Sequence, residues 1–144
     1  MLVNKVCVTG AGQLSCKYLM HANVPRFRRD FNERGRREAY SNLDKTIAHI
    51  LDKANSLGDV ETIVIPALSA APRKGFQSFP RKRCAQLVIA GCVNWLDKNG
   101  HSTKIKKICL CNDASCTELL KVFREVLHEL YKKKTDKEKK QEAS

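Results

Sequence analysis

The stretch Glu61-Thr62-Ile63-Val64-Ile65-Pro66 decides the fold, because it is a short β-branched run that ends at a proline. Apolar residues recur at helical spacing over residues 40–57 before it and over residues 84–96 after it. Short apolar strands that alternate with amphipathic helices are typical of an α/β fold. We therefore predict that residues 61–65 form a central strand, buried on both faces, in a largely parallel sheet with helices on both sides.

Further elements are predicted toward both ends of the chain. Residues 3–9 and 17–24 are extended candidates that stop at a glycine pair and at Pro25. Residues 104–111 alternate apolar residues with lysines, and the capping-box pattern that starts at Ser115 opens a last helix. The predicted order is β-β-α-β-α-β-α.

We expect one α/β domain, residues 1–131, followed by a tail, residues 132–144. A chain of 144 residues with 42% hydrophobic content can build one compact core. The tail is rich in lysine and has no large apolar side chain to bury, so we expect it to be disordered. Residues 26–37 are almost entirely charged and predict an exposed loop that leads into the first helix.

The composition limits the functional classes. The net charge of +12 attracts anionic partners such as nucleic acid or poly(ADP-ribose). The apolar runs are much shorter than the roughly 20 residues that cross a bilayer, so no membrane role is expected. The N-terminal residues do not resemble a secretory signal, so we expect an intracellular protein, nuclear or cytoplasmic.

The seven cysteines predict free thiols, because their number is odd and most of them lie in apolar segments where a thiol behaves as a small hydrophobe. Those in apolar segments are Cys7, Cys16, Cys84, Cys92 and Cys109. Cys109, Cys111 and Cys116 are close in sequence, but no second cysteine or histidine pair completes a tetrahedral metal set. We expect neither a metal nor a cofactor.

Several segments resemble one known family. The run over residues 8–22 ends a strand with threonine and glycine and continues through Leu14 to Lys17-Tyr18-Leu19-Met20-His21-Ala22. Some forty residues on come Ile63-Val64-Ile65-Pro66-Ala67-Leu68-Ser69, then Gly75-Phe76, Phe79-Pro80 and Arg83-Cys84-Ala85. In order and spacing, residues 14–130 resemble the later part of a macro domain, the ADP-ribose-binding fold. The resemblance implies a macro-domain-like mixed sheet of about four strands with flanking helices.

The resemblance also implies where a ligand binds. The family's phosphate loop corresponds to Ser69, Ala70, Ala71, Lys74, Gly75 and Phe76. The end of the family's last strand faces adenosine, which places Asn112 and Asp113 at that edge. Backbone N–H groups at a loop and a helix N-terminus grip a diphosphate. The loop here is longer than the family's and contains Pro72, which supplies no N–H, so we expect weak binding.

The family's first strand, its asparagine-rich turn and its glycine-rich loop have no counterpart in this sequence, so the domain is expected to be N-terminally truncated. Hydrolases of this fold depend on those segments, and the resemblance therefore implies no enzyme activity. The expected function is a non-catalytic module for ADP-ribose and for ADP-ribosylated or poly(ADP-ribose)-bearing partners. A truncated sheet exposes an edge, which predicts self-association.

Three other interpretations stay open. Basic side chains with Phe27 and Phe31 as stacking platforms would suit a nucleic-acid (RNA or DNA) binding domain that has lost the nucleotide pocket. The cations concerned are Arg26, Arg28, Arg29, Arg73, Arg81, Lys82 and Arg83. A merely solvated surface explains the same residues. Gly10-Ala11-Gly12 after a strand suggests a dinucleotide site, but the third glycine of that motif is missing.

Overall fold

A computed structural model describes residues 5–28, 30–66, 68, 80–111 and 117–143. The order of elements is the predicted one. The strands and helices are β1 (Val6–Gly10), β2 (Tyr18–Ala22), α1 (Glu33–Ser56), β3 (Thr62–Pro66), α2 (Arg81–Asn99), β4 (Lys107–Cys111) and α3 (Thr117–Glu142). The α/β class follows from this alternation, and it is confirmed.

The strands form two separate pairs within the described residues, and not one mixed sheet. β1 and β2 are an antiparallel hairpin, with Val6 opposite Ala22 and Gly10 opposite Tyr18. β3 and β4 are parallel. No hydrogen-bonded pairing joins β2 to β3 in the part of the chain that the structure describes. The described residues thus contain two two-stranded sheets, and the expected number of strands in one mixed sheet is not confirmed.

The core lies between the three helices and one face of the strands. α1 contributes the longest buried stripe: Ala39, Leu43, Thr46, Ile47, Ile50, Leu51 and Ala54. Gly91 allows α2 to approach it closely, because an added Cβ would lie 3.0 Å from the Cγ2 atom of Ile47. The Trp95 indole N–H donates to the Asp52 carboxylate at 2.8 Å, which joins the same two helices.

β3 differs from its prediction. Ile63 and Ile65 are buried, but the side chain of Val64 between them is 60% exposed. Successive side chains of a strand point to opposite faces, so one face of β3 packs on the core while the other remains open. The prediction of a strand buried on both faces was wrong, because an apolar run alone does not say what covers each face.

The segment over residues 26–37 is also not the exposed loop that was predicted. Helix α1 already begins at Glu33, and the Asn32 side chain accepts a hydrogen bond from the Gly35 N–H at 2.8 Å. Phe27 is only 6% exposed. Its ring stacks on Tyr40 at a centroid distance of 6.0 Å and meets Phe31 edge-on at 5.9 Å. The charged residues therefore surround an apolar anchor.

The tail differs as well, because helix α3 continues through residues 132–142 and ends at Glu142. Lysine and glutamate are good helix formers, and the segment has no glycine or proline to interrupt a helix that packing has already started. Its composition was therefore a poor guide to its conformation. None of the helices in the described residues has an apolar stretch long enough to span a membrane.

The buried stripe of α1 predicts a large effect of truncation. Leu43 is fully buried, so Leu43→Ala should lower the free energy of unfolding by about 2–5 kcal/mol through lost burial and a residual cavity. Leu14 is 59% exposed, and the matched change Leu14→Ala should alter stability by less than about 0.5 kcal/mol. Urea unfolding followed by Trp95 fluorescence measures both. Equal effects would contradict this assignment of the core.

Candidate ligand-binding site

The segments predicted to bind a ligand follow the ends of two neighbouring parallel strands. The register places Pro66, the last residue of β3, opposite Cys111, the last residue of β4. Asn112 and Asp113 come directly after β4, and the loop from Ser69 to Phe76 comes after β3. These loop residues lie outside the described residues, but the strand ends that lead into them lie side by side. In open α/β sheets, ligands bind at this carboxyl edge.

Helix α2 starts on the far side of the predicted phosphate loop. Pro80 occupies its N-cap position, one residue before the first helical position that its sequence suggested, and no side chain caps the helix. Its first turn has no acidic residue and carries exposed Arg81, Lys82 and Arg83. A helix N-terminus has a partial positive charge and free N–H groups, so this end favours an anion.

A buried cysteine links the two ends of that loop. The Cys84 thiol, in the first turn of α2, donates a hydrogen bond to the Leu68 carbonyl oxygen at 3.0 Å. Burial raises the pKa of Cys84 to about 12. The thiol therefore remains protonated at neutral pH and is unsuited to nucleophilic attack. Its contact brings the chain just after β3 next to the start of α2.

The predicted polyanion contacts are only partly available. Arg28 forms a two-pronged ion pair with Asp30, with N–O distances of 3.0 Å, and Arg26 is exposed. Arg29 and Arg73 lie outside the described residues. The Phe27 ring is buried against Tyr40, so it cannot be the stacking platform for bases that the nucleic-acid interpretation required. That part of the prediction was wrong.

An aromatic ring connects the basic residues at the start of α2, Arg81 to Arg83, with the segment that contains Arg26 and Arg28. The Arg83 guanidinium lies 5.2 Å from the centre of the Tyr40 ring, which stacks on Phe27 in turn. This contact holds the first turn of α2 against α1. The residues that precede α1 in sequence include Arg26 and Arg28. Sequence reasoning missed this contact, because Tyr40 had been counted only as part of the apolar stripe.

The motif around Lys17 has a structural role. The Tyr18 hydroxyl donates to the Asp59 carboxylate, with 3.0 Å to each oxygen, and the Lys17 ammonium donates to the Asp59 carbonyl at 2.9 Å. The hydrogen bond to Asp59 raises the pKa of Tyr18. His21 is hydrogen-bonded to Thr9 across the β1–β2 hairpin at 3.0 Å. These contacts tie the hairpin to the residues before β3.

The remaining alternatives find no geometric support. Gly10 ends β1, and Gly12, at a φ of +60°, lies in the turn that leads into β2, so no helix N-terminus follows these glycines as a dinucleotide site needs. Cys109 is half-buried and Cys111 exposed on β4. Among the described residues, no three histidine, cysteine or acidic side chains are grouped to hold a metal ion. Cys116 lies outside them.

Comparison with known proteins identifies the fold. The model of the macro domain family matches residues 1–88. The macrodomain of Oceanobacillus iheyensis with ADP has a TM-score of 0.73 and 15% sequence identity, over 92% of this chain and 61% of that chain. The same macrodomain with MES bound gives the same values. An uncharacterized protein of Sulfurisphaera tokodaii is 32% identical over 84 residues, which are 58% of this chain and 39% of the relative. The chain thus spans less than two thirds of each.

Thiol reactivity should separate the buried cysteines from the exposed ones. Burial raises the pKa of Cys84 to about 12 and that of Cys92 to about 11, whereas Cys7 and Cys16 are exposed. In native protein at pH 8, iodoacetamide should modify Cys7 and Cys16 at least about tenfold faster than Cys84 and Cys92. Peptide mass mapping over time measures the rates, and the difference should vanish in urea. Fast native labelling of Cys84 would contradict the contact with Leu68.

Proposed function

Because this chain belongs to the macro domain family, we propose that it binds ADP-ribose and ADP-ribosylated or poly(ADP-ribose)-bearing partners at the carboxyl edge of β3 and β4. The observation that carries the proposal is the register of these strands. It puts Pro66 opposite Cys111, and the two segments that follow these residues in sequence are those that the family resemblance assigns to diphosphate and adenosine.

The electrostatics of α2 support a diphosphate at this edge. The N-terminus of the helix and the three cations of its first turn attract the two negative charges of ADP-ribose. The contact between Cys84 and Leu68 holds the beginning of the loop beside this turn. Pro72 lacks an N–H, so one backbone donor fewer can reach the phosphates, and the Cβ of Ala71 limits how closely the backbone can approach them. The binding we propose is accordingly weak.

We propose further that the chain binds without hydrolysis. Burial raises the pKa of the Cys84 thiol, in the first turn of α2, so this thiol stays protonated at neutral pH. The His21 ring is engaged in a hydrogen bond with the Thr9 hydroxyl in the hairpin. The asparagine-rich and glycine-rich segments on which hydrolases of this fold depend have no counterpart in the 144 residues.

Calorimetry with ADP-ribose tests the binding proposal. Gly75→Glu places a carboxylate in the predicted phosphate loop, and charge repulsion should weaken binding by at least about tenfold, or ~1.4 kcal/mol. Gly10→Glu is the matched control, because it makes the same change of charge at an exposed hairpin position where an added Cβ has no neighbour within 4 Å. It should bind ADP-ribose as the unmodified chain does.

The controls distinguish a ligand site from general attraction of anions. No heat with ADP-ribose and no retention of poly(ADP-ribose) at high-micromolar protein would refute the proposal. Equal weakening by both glutamate substitutions would show a field effect of the +12 net charge, and not a site. Single-stranded RNA is the comparison ligand, and its binding should fall steeply with added salt if only charge attracts it.

A release assay tests the absence of catalysis. Incubation of the chain with mono-ADP-ribosylated protein should release free ADP-ribose no faster than buffer does, because the segments on which hydrolases of this fold depend have no counterpart in this sequence. Chromatography of the released nucleotide provides the measurement. Multiple turnovers that Gly75→Glu reduces would overturn the non-catalytic proposal while supporting the binding site.

A further inference from the structure

Helices α2 and α3 enclose a groove with a volume of about 660 Å³. On α2 its wall shares one face of the helix, because its residues follow at helical spacing: Ala90, Val93, Asn94 and Asp97. This face is not the one that meets the core, since the buried residues of α2 are Cys84, Ala85, Val88, Ile89, Cys92 and Trp95. Asn94 and Asp97 are exposed, so the groove opens on the outside of the helices.

The wall on α3 begins with apolar residues and ends with polar ones. Leu127, Leu130 and Tyr131 are three and four residues apart, so they share one face of the helix. The wall then continues toward the end of the helix with Lys133, Thr135, Lys137 and Glu138. Leu130 and Val93 are half-buried and pack against the core, which places them at the base of the groove.

Two large apolar side chains are exposed at this groove. In the part of the chain that the structure describes, four large apolar side chains are more than half exposed: Leu14, Val64, Leu127 and Tyr131. Leu127 is 51% and Tyr131 is 71% exposed, and they lie one helical turn apart on α3. Contiguous apolar surface beside polar residues marks interaction sites, and tyrosine is enriched in protein interfaces. This surface is therefore suited to another protein.

The walls determine which kind of segment can bind. Both walls are helices, and the N–H and C=O groups inside a helix are bonded within it. The groove therefore offers side chains, and an extended segment would gain no main-chain hydrogen bonds from it. A helix satisfies its own backbone groups and can present an apolar face to such a groove. From Leu127 to Glu138 the wall is roughly 16 Å long, which matches about three helical turns.

The charge around the groove determines which partner is attracted. The lining itself is balanced, with Lys133 and Lys137 against Asp97 and Glu138. Its surroundings are not balanced, because residues 130–142 include six lysines and three acidic residues, and the whole chain carries a net charge of +12. Acidic side chains are attracted to this surface, whereas a second copy of the chain would bring a further +12 to it.

We propose that this groove binds an acidic amphipathic helix of a partner protein. The apolar face of that helix packs against Leu127 and Tyr131. The acidic residues beside this face point toward Lys133 and Lys137. The apolar contact provides most of the affinity, and the charges orient the helix and speed its association. The groove lies outside the predicted ADP-ribose site, so the proposal does not rest on ADP-ribose binding.

Fluorescence anisotropy with a labelled peptide tests the proposal. The probe is a fluorescein-labelled peptide of about 14 residues, with leucines on one face, glutamates beside them and a hydrocarbon staple on the opposite face, because so short a helix is marginal alone. One control scrambles the leucines and glutamates, and another has lysine in place of glutamate. Each control should bind at least about tenfold more weakly. Equal binding by either control would refute the proposal.

Serine substitutions in the chain locate the apolar contact. Leu127→Ser removes an exposed apolar group from the groove and should weaken peptide binding at least about tenfold. Leu14→Ser is the matched control, because Leu14 is 59% exposed and lies in the segment between β1 and β2. It should bind the peptide as the unmodified chain does. Equal effects of the two substitutions would place the peptide elsewhere and overturn the proposal.

Charge reversals separate the groove from general attraction. Lys137→Glu reverses a charge in the lining and should weaken peptide binding at least about threefold. Lys45→Glu makes the same change at an exposed position of α1 that does not line the groove, so it should leave binding unchanged. Equal weakening by both would show that only the net charge of the chain attracts the peptide, and the proposed site would be refuted.

Sedimentation and calorimetry complete the test. If the free chain dimerises, Leu127→Ser should leave the dimer intact, and a dimer that this substitution dissociates would show that a second copy occupies the groove, which overturns the proposal. Calorimetry with ADP-ribose should give the same affinity for Leu127→Ser and for the unmodified chain, so the two sites are measured separately. If Leu127→Ser does not fold, the comparison of the three peptides decides.

Discussion

The packing of α1 on α2 is the constraint on which the rest of the structure depends. Ile47 packs over Gly91, where even one added methyl group would be tightly placed. The hydrogen bond from the Trp95 indole to the Asp52 carboxylate joins the two helices at a second point. β3 packs on the same core through Ile63 and Ile65, and the Cys84 thiol of α2 is hydrogen-bonded to the Leu68 carbonyl just after that strand. The hairpin is attached at the edge of this unit, through the contacts of Tyr18 and Lys17 with Asp59. The helices organise the molecule, and the two sheets are arranged around them.

Much of this order is readable from local patterns. The apolar spacing along α1 predicted its buried stripe, and Pro80 marked the start of α2 to within one residue. Those features depend on interactions between residues close in sequence, which periodicity reports directly. The exposure of one face of β3 could not be predicted from the local sequence pattern. Val64 has the same apolar character as Ile63, and only the arrangement of distant elements determines that one is covered and the other is open.

The candidate site likewise has features that local sequence patterns predict and features that depend on residues distant in sequence. Motif resemblance predicted a ligand at the loop after β3 and the segment after β4, and the parallel register puts the strand ends that lead into these two segments side by side. Phe27 shows the limit of this reasoning. An aromatic residue among arginines suggested a surface for bases, but its ring packs against Tyr40, which is remote from it in sequence. Asp59 was likewise unremarked, since nothing near it in sequence indicates that Tyr18 and Lys17 meet there.

The helical form of residues 132–142 fixes the spacing of the charges at the end of α3. The segment has six lysines and three acids. As a helix, it rises about 1.5 Å per residue, which holds these charges on a rod of roughly 16 Å. A flexible tail would lose conformational entropy each time it settled along a phosphate chain, whereas a preformed rod loses much less. The end of α3 therefore presents its positive charges at a fixed spacing, whereas a flexible tail would present them at a variable spacing.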